Sequence, residues 1–154
     1  MDFETLIEPA AILPALRATS KKQVLQELAE KAATLTGLPE REVFETILQR
    51  EKLGSTGVGN GIAIPHGKLQ ALDHIVGVFA RLTRPVDFDA LDDQPVDLVF
   101  LLLAPEGSGA DHLKALSKVA RLLRDRDTVA NIRDAHDAGS LYALMTSVSA
   151  QNAA

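Results

Sequence analysis

Apolar residues recur with helical spacing in two stretches of the first third of the chain. Thr19 and Ser20 are expected to cap a first helix, which ends at Gly37. Pro39 is expected at the first position of a second helix, which ends at Gly54. The apolar residues that carry the two patterns are Val24, Leu25, Leu28, Ala32 and Leu35, then Val43, Phe44, Ile47 and Leu48.

Strand-like segments lie on both sides of these helices. Ile12 and Leu13 predict a short edge strand, because Pro14 cannot donate to a central ladder. Further strands are predicted at residues 62–64 and 75–82, and an ordered loop at residues 83–95. Residues 98–104 are apolar without alternation, which is typical of a central strand that is buried on both faces.

Helical patterns return after the central strand, from residue 110 to 123 and more weakly at 129–135 and 141–148. Strands that alternate with helices favour an α/β sheet with helices on both faces. Ligands of such sheets collect beyond the carboxyl ends of strands. His66 and His112 each follow a predicted strand, so we expect both to reach one crevice.

One stretch, residues 54–68, holds five of the ten glycines and predicts a loop whose backbone allows close approach. Pro65 is expected to end the short strand after this loop, with His66 directly behind it. Free N–H groups of the loop, beside a histidine, suit chemistry on an anion. The alternative is an ordinary tight turn beside a surface histidine.

Nucleotide motifs do not fit this stretch. Leu69 stands where a Walker loop needs a hydroxyl, and the third glycine of a dinucleotide fingerprint is misplaced. We therefore expect no ATP, no NAD and no other cofactor.

The chain has 154 residues, which predicts one domain over 1–154, and it contains no cysteine. Its net charge of −5 argues against a nucleic-acid partner. No apolar run approaches the ~20 residues that span a bilayer, so we expect no membrane insertion.

Phosphoryl transfer to an imidazole would use the candidate residues well. Neutral histidine is a nucleophile near neutral pH, and the loop and Arg50 could hold phosphate oxygens. His112, at the start of a helix, could donate to the same group. On spacing alone, Arg50 and His112 are equally compatible with ordinary surface roles. His74 and His136 have no such context and are interpreted as structural or surface residues.

Residues 50–69, Arg-Glu-Lys-Leu-Gly-Ser-Thr-Gly-Val-Gly-Asn-Gly-Ile-Ala-Ile-Pro-His-Gly-Lys-Leu, closely resemble the phosphorylation segment of IIA proteins of the bacterial phosphotransferase system. The class is the mannitol, fructose and nitrogen-regulatory one, and residues 85–97, 112–116 and 121–125 match as well. The resemblance implies a single three-layer α/β/α domain with a mixed, mostly parallel sheet flanked by helices. It implies that His66 accepts a phosphoryl group through Nε2, with His112 and Arg50 assisting and no metal. The expected supports of the phosphate loop are Ser55, Thr56, Gly57, Gly59, Asn60 and Gly61.

Lys68 and Leu69 after the histidine make the chain most similar to the nitrogen-regulatory type. That type implies a cytoplasmic phosphocarrier with a transient phosphohistidine, rather than an enzyme of a small substrate. Its implied donor is a phosphorylated HPr-like protein, and its implied targets are potassium-transport components or sensor kinases. Ile62 and Ile64 are expected to contribute to an apolar rim on the docking face. Two alternatives stay open: a sugar-specific IIA that passes phosphate to a IIB partner, and a His/Asp metal hydrolase.

Overall fold

The computed structural model describes residues 2–153, and the side-chain surroundings of residues 2–147. Two short 3₁₀ turns, Phe3–Thr5 and Pro9–Ala11, precede the sheet. The strands are Ile12–Leu16 (β1), Gly57–Gly59 (β2), Ile62–Ala63 (β3), His66–Leu69 (β4), Val76–Val86 (β5) and Val96–Pro105 (β6). The helices are Lys21–Thr36 (α1), Glu40–Leu53 (α2), Gly109–Leu122 (α3), Arg126–Asp134 (α4) and Ala138–Ala153 (α5). No helix in the described residues combines the length and apolar character that crossing a membrane requires.

The strands form one mixed sheet in the order β1-β5-β6-β3-β2, with β4 also paired to β6. Strand β1 is parallel to β5, and β6 is parallel to both β3 and β4. The β5–β6 and β2–β3 pairs are antiparallel. The predicted mixed, mostly parallel sheet is confirmed, and so is the edge position of the strand that contains Pro14.

Strand β6 separates two hydrophobic cores. Leu98, Phe100 and Leu102 face the core that α3, α4 and α5 close. The alternate residues of β6, from Val99 to Leu103, face the core that α1 and α2 close. Successive side chains of a strand point to opposite faces, so an uninterrupted apolar run serves both cores. The three-layer α/β/α arrangement and the central strand are therefore as predicted.

Strand β5 is longer than the sequence pattern predicts. It continues to Val86, which lies opposite Val96, so the expected loop at residues 83–95 begins later. Pro85 lies inside this strand, where the register shifts between Arg81 and Val86. A proline is tolerated at such an irregularity because its missing N–H is not needed by the ladder there.

His66 follows the predicted short strand, which is β3, but it also begins a further strand, β4, that the sequence did not predict. Ala63 lies opposite Val99 and His66 opposite Leu102, so β3 and β4 share one register along β6. Pro65 interrupts them without breaking the ladder, since its carbonyl accepts the N–H of Leu102 at 2.9 Å. The histidine is therefore built into the sheet.

The glycine-rich stretch is a β-hairpin rather than an open loop. Strands β2 and β3 are joined by Asn60 and Gly61, whose φ angles are 58° and 80°. Positive φ at both central residues is the requirement of a type I′ turn, which Asn-Gly satisfies best. The turn lies against Arg133, whose Nη2 donates to the Asn60 carbonyl at 2.8 Å and to Asp97 at 2.9 Å.

Replacing Gly61 with alanine is expected to lower the free energy of unfolding by about 1–3 kcal/mol. Its φ of 80° disfavours a side chain, and a Cβ would lie 2.5 Å from Arg133 Nη2. Urea denaturation provides the measurement. Gly107→Ala is the control, because a Cβ at Gly107 meets nothing within 4 Å. Equal midpoints for the two variants would contradict the assigned turn.

Candidate functional site

His66 is held in one tautomer by the backbone. The Nδ1 atom lies 3.0 Å from the carbonyl oxygen of Ile64, and the ring is half-buried. A carbonyl can only accept, so Nδ1 carries the hydrogen and Nε2 carries the lone pair. The nucleophilic nitrogen of a neutral histidine is thereby placed at Nε2.

Arg50 approaches that lone pair from the last turn of α2. Its Nε donates to His66 Nε2 at 3.2 Å, and its Nη1 donates to the carbonyl of Gly54 at 2.9 Å. An arginine is always a donor, so this contact agrees with an unprotonated Nε2. Two nitrogens of the guanidinium are thus fixed, and a cation lies beside the candidate nucleophile.

His112 lies in the first turn of α3, and its ring centroid is 5.7 Å from that of His66. Only 6% of the residue is exposed, and its buried Nδ1 has no hydrogen-bond partner among the described residues. Burial lowers the pKa of His112 below its ordinary value, and the neighbouring His66 and Lys68 lower it further. The imidazole of His112 is therefore held in its neutral form beside His66.

The structure brings together the three residues that the sequence singled out, His66, His112 and Arg50. Their roles in phosphoryl transfer stay predictions. The other two histidines lie outside this group: His136 is exposed, and His74 contacts the carboxylate of Asp73 at 2.5 Å on the surface. That contact lowers the pKa of the Asp73 carboxyl.

The hairpin offers fewer free N–H groups than its glycines suggest. The backbone N–H groups of Thr56, Gly57 and Asn60 already donate within the protein, at 2.9–3.2 Å. Their acceptors are the side chains of Glu51, Ser55 and Asp92 respectively. The Asn60 N–H is the main cause that lowers the pKa of Asp92.

Ser55 is similarly engaged, since its hydroxyl donates to the Phe88 carbonyl at 2.6 Å. Gly59 and Gly61 form the end of the hairpin. These bonds shape the segment beside Arg50, and its support of a phosphoryl group stays a prediction.

Sequence reasoning missed two charged residues behind the hairpin. The Glu51 carboxylate is buried and pairs with Lys21 Nζ at 2.7 Å. The ammonium of Lys21 also lies 4.9 Å from the centre of the Phe88 ring. Glu51 lies four residues after Ile47, on the apolar stripe of α2. That spacing was the sign in the sequence that Glu51 is buried.

The two residues that the sequence predicted for an apolar rim are buried. Ile62 and Ile64 are only 2% and 6% exposed, so the prediction that they line the docking face is wrong. Both pack into the core under α3 to α5. The large apolar side chains that the described surface does expose are Leu53, Val58, Leu91 and Leu113, which we call the apolar rim.

Each rim residue neighbours the site or the hairpin in the chain or through a hydrogen bond. Leu53 lies three residues after Arg50, Leu113 follows His112, and Val58 is in β2. The N–H of Leu91 donates to the Gly57 carbonyl at 3.3 Å. Within the described residues, no group of three or more His, Cys, Asp or Glu side chains could hold a metal ion.

Comparison with known proteins identifies the family of the chain. The model of the family described as phosphoenolpyruvate-dependent sugar phosphotransferase system, EIIA 2, matches residues 5–148. The chain belongs to this EIIA type-2 family. It is 63% identical over 145 residues to the nitrogen regulatory protein of Bradyrhizobium diazoefficiens, covering 94% of this chain and 95% of the relative.

Two further relatives carry the same kind of name. The nitrogen regulatory protein of Escherichia coli is 50% identical over 128 residues, which cover 82% of this chain and 78% of the relative. The crystal structure of nitrogen regulatory protein IIA-Ntr from Neisseria meningitidis superposes with a TM-score of 0.87 at 35% identity. That match covers 92% of this chain and 97% of the Neisseria chain. Among the EIIA type-2 proteins, the chain is therefore similar to the nitrogen-regulatory branch.

The lowered pKa of His112 predicts a pH-dependent stability. The unfolded chain binds a proton on His112 near pH 6.5, whereas the folded protein binds it only at lower pH. Stability is therefore lost as pH falls below about 6.5, down to the folded pKa, and regained as pH rises. Urea denaturation from pH 5 to 8 should show a shallower pH dependence for His112→Gln.

An NMR titration checks the cause of that pH dependence. The pKa of His112 should lie below its ordinary value in the wild type. In Lys68→Met it should rise, because a neighbouring positive charge has been removed. An unperturbed His112 titration in the wild type would contradict the buried, neutral imidazole.

Proposed function

We propose that this protein is a regulatory phosphocarrier that accepts a phosphoryl group on His66 Nε2 from a phosphorylated HPr-like protein. The observation that carries the proposal is the pair of contacts on the His66 ring. Nδ1 donates a hydrogen bond to the Ile64 carbonyl, and Nε2 faces the Arg50 guanidinium. Together they present a lone pair and a cation to an incoming anion.

The transfer is an in-line displacement at phosphorus. The lone pair of His66 Nε2 forms the new N–P bond while the donor's bond to phosphorus breaks. The bonding electrons stay on the donor's imidazole nitrogen, and the donor ring, already protonated on its other nitrogen, leaves as a neutral imidazole. His66 keeps its hydrogen on Nδ1, so the positive charge of the donor ring passes to the phosphorylated His66 ring. Negative charge spreads over three equatorial oxygens in the transition state, and hydrogen-bond donors placed there lower the barrier.

Arg50 is suited to follow that charge. In the free protein its Nε–H occupies the lone pair of His66, so an arriving phosphorus atom replaces this hydrogen bond. The bond from Nη1 to the Gly54 carbonyl keeps the guanidinium close. Nη2 makes no hydrogen bond to the described residues and can donate to a phosphoryl oxygen. A planar guanidinium can then contact two oxygens at once.

His112 would assist from the other side of the site. It lies close enough for its ring to contact a group on His66, and its N-terminal position in α3 favours negative charge nearby. Because its pKa is lowered, His112 stays unprotonated until an anion is present. A neutral imidazole does not repel an HPr-like donor electrostatically, and it can donate one N–H to the transferred group.

The regulatory role is supported by the names of the relatives, which are nitrogen regulatory proteins. By that resemblance the targets are potassium-transport components or sensor kinases, and the protein acts in the cytoplasm. The alternative of a sugar-specific IIA shares the family and the same chemistry. Transfer from phosphorylated His66 to a IIB protein, measured beside binding of a regulatory target, distinguishes the two.

His66→Ala is expected to fold normally and to accept no phosphoryl group, because the nucleophilic nitrogen is gone. The measurement is incubation with a phosphorylated HPr-like carrier, followed by mass spectrometry to map the modified residue. His74→Ala is the matched control and should be labelled like the wild type. Undiminished labelling of His66→Ala would refute the assignment.

Two further variants separate acceptance from assistance. His112→Ala and Arg50→Lys should both be labelled more slowly, with the label still on His66. Lysine is a poor replacement because it offers a point charge without the planar fork. Wild-type rates for Arg50→Lys and Arg50→Ala together would exclude a role of the arginine at the site.

Phosphorylation is expected to weaken binding of a regulatory target by about 5–150-fold. A phosphoryl group adds up to about two negative charges beside the apolar rim, and these charges must be desolvated on docking. The affinity of a purified sensor kinase or potassium-transport component should be measured for the free protein, the phosphorylated protein and His66→Glu. His74→Glu controls for a charge elsewhere on the surface. Equal affinities would leave a plain phosphocarrier, and tighter binding of the phosphorylated form would reverse the sign of the switch.

A further inference from the structure

The carboxylate of Glu51 is an unusual group in the core beside the site. Only 6% of the residue is exposed, and it belongs to the helix that carries Arg50. Glutamate is almost never fully buried unless it is paired, because an isolated charge is costly in an apolar environment. A buried carboxylate next to Arg50 in the chain therefore requires partners within the protein.

Those partners come from two distant parts of the chain. Lys21, the first residue of α1, places Nζ 2.7 Å from Oε2 of Glu51. Thr56, directly before the hairpin, donates both its backbone N–H, at 3.2 Å, and its hydroxyl to the same carboxylate. The carboxylate thus joins α1, α2 and the start of the hairpin at one point.

The Glu51 carboxylate is linked to Arg50 through the segment that leads into the hairpin. The segment from Gly54 to Thr56 is held at one end by the Glu51 carboxylate. Its Gly54 carbonyl accepts from Arg50 Nη1 at 2.9 Å. The Nε of the same guanidinium then reaches His66. The buried Glu51–Lys21 pair therefore fixes the backbone segment from Gly54 to Thr56. That segment in turn fixes the Arg50 guanidinium, which faces His66.

We propose that Glu51, charged and paired with Lys21, is a positioning residue that sets the place of the Arg50 guanidinium at His66. The inference rests on the proposed phosphoryl transfer to His66. Glu51 does not touch the phosphoryl group. It acts by fixing the carbonyl of Gly54, which is the second anchor of the guanidinium. Without that anchor Arg50 samples other rotamers, and fewer molecules present a cation to the transition state.

A double-mutant cycle tests the proposal on the full chain, with a phosphorylated HPr-like carrier as the donor. Glu51→Gln should slow single-turnover transfer by about tenfold, a size found for residues within one hydrogen-bond network. The carrier concentration at half-maximal rate should not change, because the exposed surface is intact. In an Arg50→Ala background, Glu51→Gln should have no further effect on the rate, although it still lowers the urea midpoint.

The controls separate positioning from general stability. Glu45→Gln removes an exposed carboxylate from the same helix. It should not change the transfer rate, either in the otherwise wild-type protein or in the Arg50→Ala variant. If Glu51→Gln does not fold, Lys21→Met removes the cation that pairs with the carboxylate, while Lys21→Arg keeps a cation there. Only the methionine variant should then slow transfer, and only when Arg50 is present.

The outcomes are distinct. Wild-type transfer by Glu51→Gln, or an equal slowing with and without Arg50, overturns the positioning role. Where the cycle rests on Lys21, the same two results for Lys21→Met overturn it. Failure of the wild type itself to be phosphorylated overturns the proposed function instead, because no variant is involved in that result.

Discussion

The single register that β3 and β4 share along β6 is the constraint on which the site depends. Ala63 and His66 face Val99 and Leu102 in one continuous ladder, although Pro65 separates the two short strands. Because β6 is buried by both cores, its position is fixed by packing on two sides. His66 therefore lies on a strand whose partner, β6, is fixed by packing on both faces, and a site is held most precisely on such elements.

Helices bring the remaining groups to this fixed strand. α2 presents Arg50 from its last turn, and α3, which follows β6, presents His112 from its first turn. The two helices belong to opposite layers of the fold, so the site forms where both layers reach the edge strand β4. The arrangement explains why a short strand and two helix ends suffice to place the two imidazoles and the guanidinium together.

The sequence predicted the parts of this site that depend on local pattern and element order. Histidines beside two neighbouring strands were expected to meet, and Arg50 was expected at a helix end near the glycines. The Asn60-Gly61 dipeptide also carried a hairpin signal, but the density of glycines suggested an open loop instead. The Lys21–Glu51 pair could not be predicted, because it joins residues whose proximity depends on how α1 and α2 pack. The exposure of Leu91 and the burial of Ile62 depend on the same tertiary packing.

The electrostatics of His112 link the fold to the proposed switch. Burial and two neighbours, His66 and Lys68, lower its pKa in the free protein. A phosphoryl group on His66 would add an anion beside His112. An opposite charge within about 4–6 Å raises the pKa of a histidine. The burial that favours a neutral imidazole before transfer therefore also strengthens its interaction with the anion afterwards, since charges interact more strongly away from water. Under the proposed function, the charge around these two histidines therefore differs between the free and the phosphorylated protein.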